Sequence, residues 1–241
     1  MRVLLLGGNG YLGPHVVAEL ERDYELVITD IAPIETPHAS LVVDVADPDQ
    51  VRVAARGTDA IVNCSVQRRD GRGAFAVNML GTMNALGAAV ELGQQRFINT
   101  GPRFTLVGNT YLDFDHDITE EIPPQPGTGL YALTKSLGHE LCRAYSEQYP
   151  IHVLMLLFSS FRDVPPSVQE PGDANPFAVT FADAARAIRC ALEVDLATLP
   201  SRFETFFTTV DQPQQHVRCD KARRLLGWEP RDDLSGYVRR G

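Results

Sequence analysis

The chain has 241 residues, of which 44% are hydrophobic, and it carries a formal net charge of −9. This length and composition are typical of a globular protein with one large domain or two small ones. The negative charge argues against nucleic acid or an anionic membrane as the main partner, and no apolar run approaches the roughly 20 residues that cross a bilayer. The scattered cysteines indicate reduced thiols in a cytoplasmic protein.

A glycine-rich turn follows the first predicted strand. The segment Gly7-Gly8-Asn9-Gly10-Tyr11-Leu12-Gly13 lies between the apolar run Val3–Leu6 and a predicted helix, and a second apolar run ends at Asp30. Glycines here allow a tight turn, a close approach of the backbone to a phosphate and close packing of helix on strand. The free N–H groups at the helix start favour a pyrophosphate, while Asp30 favours ribose hydroxyls and repels a 2′-phosphate. The turn therefore predicts a dinucleotide site that prefers NAD to NADP.

Predicted strands and helices alternate along the first two thirds of the chain. The strands are predicted at Arg2–Leu6, Glu25–Asp30, Ser40–Val43, Ala60–Asn63, Arg96–Thr100 and His152–Phe158. The helices are predicted at Tyr11–Glu21, Pro48–Arg56, Ala74–Leu92 and Leu130–Gln148. Alternation of this kind favours a parallel sheet with helices on both faces, and continuous apolar strands indicate burial on both faces.

The pattern weakens after Phe158. Loops are predicted at Gly101–Gly127 and Arg162–Pro176, a short strand at Phe177–Phe181, helices at Asp183–Val194 and Cys219–Leu226, and a strand at Phe203–Thr209. The sequence therefore predicts an α/β fold with a Rossmann-like doubly wound parallel sheet. We expect a single domain over 1–241, with a dinucleotide-binding core at 1–158 and a small C-terminal substrate-binding portion at 159–241.

Tyr131 and Lys135 are four residues apart in the predicted helix Leu130–Gln148, so both side chains leave the same face. A phenol with a pKa near ~10 is a poor acid or base at neutral pH. A neighbouring ammonium stabilises the phenolate and brings the tyrosine toward its working range. The pair therefore predicts Tyr131 as proton donor or acceptor, with Lys135 lowering its pKa and holding the nicotinamide ribose.

Taken together, these motifs resemble the extended short-chain dehydrogenase/reductase superfamily, in its NAD-dependent epimerase/dehydratase group. The likeness is greatest to its short uronate dehydrogenase-type members. The further matching residues are Asp44-Val45, Asn78, Gly129-Leu130-Tyr131, Phe181-Ala182-Asp183 and Leu226-Gly227-Trp228-Glu229-Pro230. The resemblance implies an NAD-dependent oxidoreductase acting on a hydroxyl or carbonyl centre of a sugar, sugar acid or cyclitol. It also implies a homodimer.

The predicted site combines the residue patterns with this resemblance. The catalytic residues are expected to be Tyr131, Lys135 and Thr100. The cofactor-binding residues are expected to be Gly7, Gly10, Tyr11, Leu12, Gly13, Asp30, Asp44, Val45, Cys64, Tyr131, Lys135 and Ser159. The resemblance places Asp44 and Val45 by the adenine, and Cys64 is interpreted as a small residue beside the cofactor. No metal site is predicted, since Asp113–Asp117 is interpreted as a solvated acidic loop.

The chain departs from the family pattern at two points. The family has a Ser or Thr just after the fifth strand, where this chain has Gly101 and Pro102, and the substitutes considered are Thr100 and Thr105. Uronate dehydrogenases have an arginine after the sixth strand, where this chain has Leu156-Leu157-Phe158-Ser159-Ser160, and the substitutes considered are Arg103 and Arg162.

Two further interpretations bear on the site. His139 is expected to be a packed or surface helix residue, and Asn78 either a buried structural amide or a member of a proton relay.

Two alternative functions stay open. The first is an epimerase or dehydratase that keeps the coenzyme within one cycle, and the second is a dinucleotide-binding module that has lost catalysis.

Overall fold

The structure of the protein is a computed structural model, which describes residues 1–108, 111, 117–163, 177–210 and 216–234. The strands are β1 (Arg2–Leu6), β2 (Glu25–Asp30), β3 (Ala39–Val42), β4 (Ala60–Asn63), β5 (Arg96–Pro102), β6 (His152–Phe158), β7 (Phe161–Arg162), β8 (Val179–Thr180) and β9 (Phe203–Phe207). The α-helices are α1 (Gly13–Leu20), α2 (Pro48–Ala55), α3 (Gly71–Ala74), α4 (Thr82–Glu91), α5 (Leu130–Gln148) and α6 (Phe181–Glu193). Short 3₁₀ turns lie at Arg103–Thr105 and Leu196–Thr198, and π-helical turns lie at Phe75–Gly81 and Ala222–Leu226.

Seven strands form one sheet in the order β3-β2-β1-β4-β5-β6-β9, and all its neighbouring strands are parallel. Helices α1 and α6 pack together, as do α2, α4 and α5. This arrangement confirms the predicted α/β fold with a Rossmann-like parallel sheet. Strand order reverses between β1 and β4, and ligands of such sheets bind beyond the carboxyl ends of the strands at that point.

The C-terminal portion is joined to the same sheet. β9 pairs with β6 in a register that places Phe206 beside Leu156, and both side chains are fully buried. Trp228 is also fully buried, and its indole Nε1 donates to the Asp183 carbonyl at 3.0 Å. Gly227, with φ of +65°, ends the preceding helical turn in the left-handed region. The terminal motif therefore packs against the start of α6.

Residues 71–91 form one helical stretch, because the π turn Phe75–Gly81 connects α3 to α4. It begins three residues before the predicted start at Ala74, because the Asp70 carboxylate accepts the Gly73 amide and caps the end. Its length and composition are sufficient for a membrane span. However, α4 packs on β4, β5 and α5, and Ala85 and Leu86 are fully buried. We therefore interpret the stretch as a core helix.

Element boundaries differ from the sequence prediction where a turn or cap intervenes. α1 begins at Gly13 and not at Tyr11, because Tyr11 and Leu12 belong to the glycine turn. α6 begins at Phe181, where Thr180 caps it by accepting the Asp183 amide. Of the predicted strand Phe177–Phe181, only Val179–Thr180 forms a strand, and it pairs with β7.

Candidate active site

The glycine turn is packed so tightly that side chains do not fit in it. Gly7 has φ of +79°, and the amides of Gly7 and Gly8 donate to the Thr29 carbonyl at 2.9 and 2.8 Å. A Cβ on Gly13 would lie 2.2 Å from the Gly8 carbonyl oxygen, and one on Gly7 would lie 2.7 Å from Ser65 N. The turn therefore holds the end of β1, the start of α1 and the loop after β4 in contact.

The start of α1 leaves two backbone amides available to a ligand, those of Leu12 and Gly13. Neither donates a hydrogen bond within the described chain, whereas Pro14 has no N–H and the His15 amide donates to the Leu12 carbonyl. Within α1, which the structure describes in full, the first turn holds no acidic residue, and Leu12 at the N-cap makes no side-chain hydrogen bond. Uncapped amides at a helix start are an anion-binding site. A turn that excludes a Cβ at Gly7, Gly8 and Gly13, beside the free amides at the start of α1, fits the pyrophosphate of a dinucleotide.

Asp30 lies at the end of β2, beside this turn. Its Oδ2 accepts the Asn9 amide at 2.9 Å, and its Oδ1 accepts the Ile31 amide at 2.8 Å. Each carboxylate oxygen keeps a further lone pair, so both remain acceptors for hydroxyl groups. The carboxylate is thereby held in place for the ribose contact that the sequence predicts.

Asp44 and Val45 follow β3 on the same side of the sheet. The Asp44 Oδ1 accepts the Ala46 amide at 2.9 Å, which closes a local turn. Val45 is buried, and its carbonyl accepts the Asn84 side-chain amide at 2.9 Å. This segment is thus anchored to α4 at the carboxyl end of β3.

Tyr131 and Lys135 lie one helical turn apart on α5 and line a cavity of about 380 Å³. The Lys135 ammonium is buried and donates to the carbonyls of Ser65 at 2.9 Å and Thr100 at 3.2 Å. Burial lowers the pKa of Lys135 to about 8. α5 therefore brings the predicted proton-transfer residue and its partner lysine to the ends of β4 and β5. The same cavity is bordered by Tyr11 and Leu12 of the glycine turn.

Arg68 is the cation that contacts Tyr131, and it belongs to none of the motifs that predicted the site. Its guanidinium carbon lies 5.2 Å from the centroid of the Tyr131 ring and 5.5 Å from that of the Tyr11 ring. Burial raises the pKa of Tyr131, and Arg68 opposes that rise through its charge and a side-chain hydrogen bond. In the free protein, the cation acting on the phenol is therefore Arg68, whereas Lys135 bonds to backbone carbonyls. The position of Arg68 just after a central strand was the signal available in the sequence.

The two threonines predicted to replace the missing hydroxyl near the end of β5 differ in their hydrogen bonding. The Thr100 hydroxyl donates to the Asn63 carbonyl at 2.9 Å, so its proton is already used. Thr105 is buried with its Oγ1 lacking a hydrogen-bond partner among the described residues. A side chain at Gly101 would collide with Met155, since a Cβ there lies 2.6 Å from its Cε. The catalytic role expected of Thr100 stays a prediction. With its proton donated to Asn63, the hydroxyl oxygen could act on a substrate only as a hydrogen-bond acceptor.

The cavity also contains residues from the loop after β6. Ser159 and Ser160 both border it, and the cofactor-binding role of Ser159 stays a prediction. Ser160 has φ of +51°, a left-handed conformation that is uncommon for a residue other than glycine. Strained backbone of this kind clusters at functional sites. Arg162 lies in β7, and its Nη1 donates to the Phe161 carbonyl at 3.1 Å.

Arg103 borders the cavity from the 3₁₀ turn that follows β5. Its Nη1 donates to the Val107 carbonyl at 3.1 Å, and burial lowers the pKa of its guanidinium to about 10. It is therefore still charged at neutral pH. Of the two arginines that the sequence analysis considered, Arg103 is the one on the cavity wall.

Asn78 acts as a structural connection between two elements of the site. Its Oδ1 accepts the Gln67 amide at 2.9 Å, while its Nδ2 donates to the Gln67 carbonyl at 2.7 Å and to Thr134 Oγ1 at 2.9 Å. Both amide protons are therefore used in holding the loop after β4 against α5. This geometry favours the first of the two predicted roles, a buried structural amide.

Cys64 and His139 have the surroundings expected of packing residues. Burial raises the pKa of the Cys64 thiol to about 12, so it is a neutral spacer at the cavity wall. His139 is buried, with its Nε2 3.1 Å from Thr205 Oγ1, and burial lowers its pKa to about 4. Residues 113–116 of the acidic segment lie outside the described residues, and no metal-binding cluster occurs within the part of the chain that is described.

Comparisons with known proteins agree with this architecture. Residues 3–161 match the profile of the NAD dependent epimerase/dehydratase family. A relative in Haloferax volcanii, an NAD-dependent glucose-6-phosphate dehydrogenase, is 24% identical over 262 residues, which cover 99% of this chain and 96% of the relative.

Two solved structures share the fold. One is a glucuronic acid dehydrogenase from Chromohalobacter salexigens, with a TM-score of 0.78 and 22% identity over 96% of this chain and 85% of that chain. The other is a short-chain dehydrogenase/reductase superfamily protein from Agrobacterium tumefaciens with bound NAD. Its TM-score is 0.76, with 21% identity over 97% of this chain and 93% of that chain.

Proposed function

This chain belongs to the NAD-dependent epimerase/dehydratase family, and on that premise we propose that it is an NAD-dependent oxidoreductase. Its substrate in this proposal is a hydroxyl or carbonyl centre of a sugar, sugar acid or cyclitol. The observation that carries the proposal is that Tyr131 and Lys135 line the same cavity as Tyr11 and Leu12 of the glycine turn. The relative in Haloferax volcanii, named as an NAD-dependent dehydrogenase of a sugar phosphate, supports the reaction type.

Residues along the carboxyl edge of the sheet would hold the coenzyme, which supplies the hydride acceptor when bound. The amides at the start of α1 and the glycines Gly7, Gly10 and Gly13 suit the pyrophosphate. Asp30 suits the adenosine ribose, and Asp44 and Val45 border the adenine. The residues that directly follow Asp30 are Ile31, Ala32 and Pro33, none of which is an arginine that would hold a 2′-phosphate, and this favours NAD.

The proton step is assigned to the Tyr131 hydroxyl. In the oxidation direction its phenolate takes the proton of the substrate hydroxyl, and in the reduction direction the phenol returns it to the carbonyl oxygen. Arg68 stabilises the phenolate, since its charge opposes the rise in pKa that burial causes. The Lys135 ammonium, fixed between the Ser65 and Thr100 carbonyls, holds the ends of β4 and β5 against α5 and thereby orients the site.

The experiment that tests this function is a substrate panel of sugars, sugar acids and cyclitols with NAD⁺, read by the absorbance of the reduced coenzyme. A dehydrogenase forms NADH in proportion to the substrate oxidised. An epimerase or dehydratase, the second candidate that the family name supports, converts substrate without net NADH. A protein that binds NAD but turns over no compound of the panel fits the third candidate, a module without catalysis.

The proposal also covers the domain organisation, the cellular location and the oligomeric state. We propose a single domain over 1–241, because β9 of the C-terminal portion completes the sheet of the N-terminal core. We propose a cytoplasmic location, which the four unpaired cysteine thiols support. We propose a homodimer, which the half-exposed Leu80 and Leu133 on neighbouring helices support, and light scattering on the purified protein tests it.

A further inference from the structure

Arg103 is a buried cation that lacks a compensating charge among the residues that the structure describes. Its side chain is only 9% exposed, and no carboxylate among the described residues forms an ion pair with it. A buried charge without a partner destabilises a fold, so proteins normally pair it or expose it. The position of this residue on the wall of the active-site cavity indicates that its partner comes from a ligand.

The guanidinium is held rigidly from several sides. Its carbon lies 4.2 Å from the centroid of the Phe104 ring and 4.2 Å from that of the Phe177 ring. The hydrogen bond from Nη1 to the Val107 carbonyl fixes its rotation. Cation–π contacts and one carbonyl stabilise the charge only in part. A side chain clamped in this way is ordered before a ligand arrives, so little conformational entropy is lost when it binds.

The free donors of Arg103 lie along one edge of the guanidinium. Nη1 is used by Val107, whereas Nε is buried without a hydrogen-bond partner in the described chain. Nε and the adjacent Nη2 together form the edge that binds two oxygens of a carboxylate or phosphate at once. The donor arrangement therefore suits an oxyanion with two oxygens and not a single hydroxyl group.

The rest of the cavity has the same electrostatic character. Arg68 and Lys135 also border it, and no Asp or Glu occurs among its lining residues in the described chain. The chain as a whole carries a formal charge of −9, so this positive cavity is a local feature. A neutral sugar would leave the Arg103 charge uncompensated in the bound state, whereas a permanently charged ligand would pair with it.

We propose that Arg103 is the anion-binding residue of the substrate site, where its guanidinium pairs with a carboxylate or phosphate group of the substrate. It would thereby replace the family's arginine after the sixth strand with one after the fifth strand. This inference rests on the proposed function, because it assigns a substrate class to the same cavity.

The test measures the binding of three ligands to the full-length protein in the presence of saturating NAD⁺. The probes are glucuronate, glucose 6-phosphate and glucose, each followed by calorimetric titration and by the shift in Tm. We expect at least one anionic probe to bind and glucose to bind more weakly. Arg103→Gln is expected to weaken the anionic probe about 10- to 100-fold and to leave glucose unchanged. Comparing the affinity for glucuronate with that for glucose 6-phosphate shows whether the site prefers a carboxylate or a phosphate.

Two further variants keep the interpretation specific. Arg103→Lys keeps the charge but loses the two-donor edge, and we expect it to recover only part of the affinity. Arg69→Gln removes the same charge from an exposed residue outside the cavity lining, and we expect wild-type binding. Circular dichroism and NAD⁺ titration of each variant establish that it is folded and loaded.

Several outcomes would overturn the inference. It fails alone if NAD⁺ binds but neither anionic probe binds better than glucose, or if Arg103→Gln binds the anion as wild type does. If wild type does not bind NAD⁺, the proposed function fails and the inference with it. If Arg103→Gln does not fold, competition decides: inorganic phosphate must displace the bound anionic probe from wild type, and a failure to displace it contradicts the inference.

Discussion

The Arg68 guanidinium carbon lies 5.2 Å from the centre of the Tyr131 ring, so its positive charge acts directly on the phenol. Burial raises the pKa of Tyr131, and Arg68 is the group that opposes this rise. Because the oxidation reaction needs the phenolate, activity should increase with pH through the Tyr131 pKa. Without Arg68, that pKa moves higher. Arg68→Gln should therefore shift the rising limb of the kcat/KM profile to higher pH, whereas Arg69→Gln should leave that limb unshifted. An unchanged profile in Arg68→Gln would remove Arg68 from the proton step.

Tyr131→Phe removes the hydroxyl that transfers the proton and keeps the ring on the cavity wall. We expect kcat to fall by about 10²- to 10⁴-fold, which is the usual contribution of a positioned acid or base. The affinity for NAD⁺ should change little, because the glycine turn and Asp30 are untouched. Steady-state kinetics and coenzyme titration measure the two effects separately. Turnover that survives the substitution would show that another group transfers the proton.

Gly13→Ala tests the packing of the glycine turn. The added Cβ would lie 2.2 Å from the Gly8 carbonyl oxygen, so the helix must move away from the strand. We expect the free energy of unfolding to fall by at least about 2 kcal/mol and NAD⁺ binding to be lost. Gly87→Ala is the matched control, since its Cβ would meet only the Tyr145 hydroxyl at 4.0 Å. In the interior of α4 it should stabilise by about 0.5–1 kcal/mol. Equal effects of both substitutions in denaturant titrations would contradict this reading of the turn.

Asp30→Asn keeps an acceptor for the Asn9 amide but removes the negative charge. The repulsion of a 2′-phosphate is lost, and so are charge-assisted bonds to the ribose. We expect the ratio of NAD⁺ to NADP⁺ affinity to fall by about tenfold or more. Asp49→Asn, on the exposed start of α2, is the control and should leave the ratio unchanged. A ratio that stays constant in Asp30→Asn would mean that this carboxylate does not select the coenzyme.

Sequence patterns predicted the sheet and the central pair of the site because those features depend on local periodicity. β1, β2, β4, β6 and α5 have the predicted bounds, since each is a continuous apolar or amphipathic run ended by a turn. The glycine turn was also predictable, since three glycines between a strand and a helix serve few other purposes.

The hydrogen bonding within the site was not predictable in the same way. Whether the Thr100 hydroxyl faces the cavity or the Asn63 carbonyl depends on a rotamer that packing decides. The burial of Arg103 depends on Phe177, which is distant in the sequence. Arg68 in turn acquires its role only because β4 and α5 are brought together. Contacts between distant segments, and not the segments themselves, decide these roles.

The central claim is that a dinucleotide binds along the carboxyl edge of the sheet, with its pyrophosphate at the start of α1. Calorimetric titration of the wild-type chain with NAD⁺, NADH and NADP⁺ tests it directly. We predict saturable binding of NAD⁺ or NADH at one site per chain, with NADP⁺ weaker. If none of these coenzymes binds to the folded protein, the account is wrong.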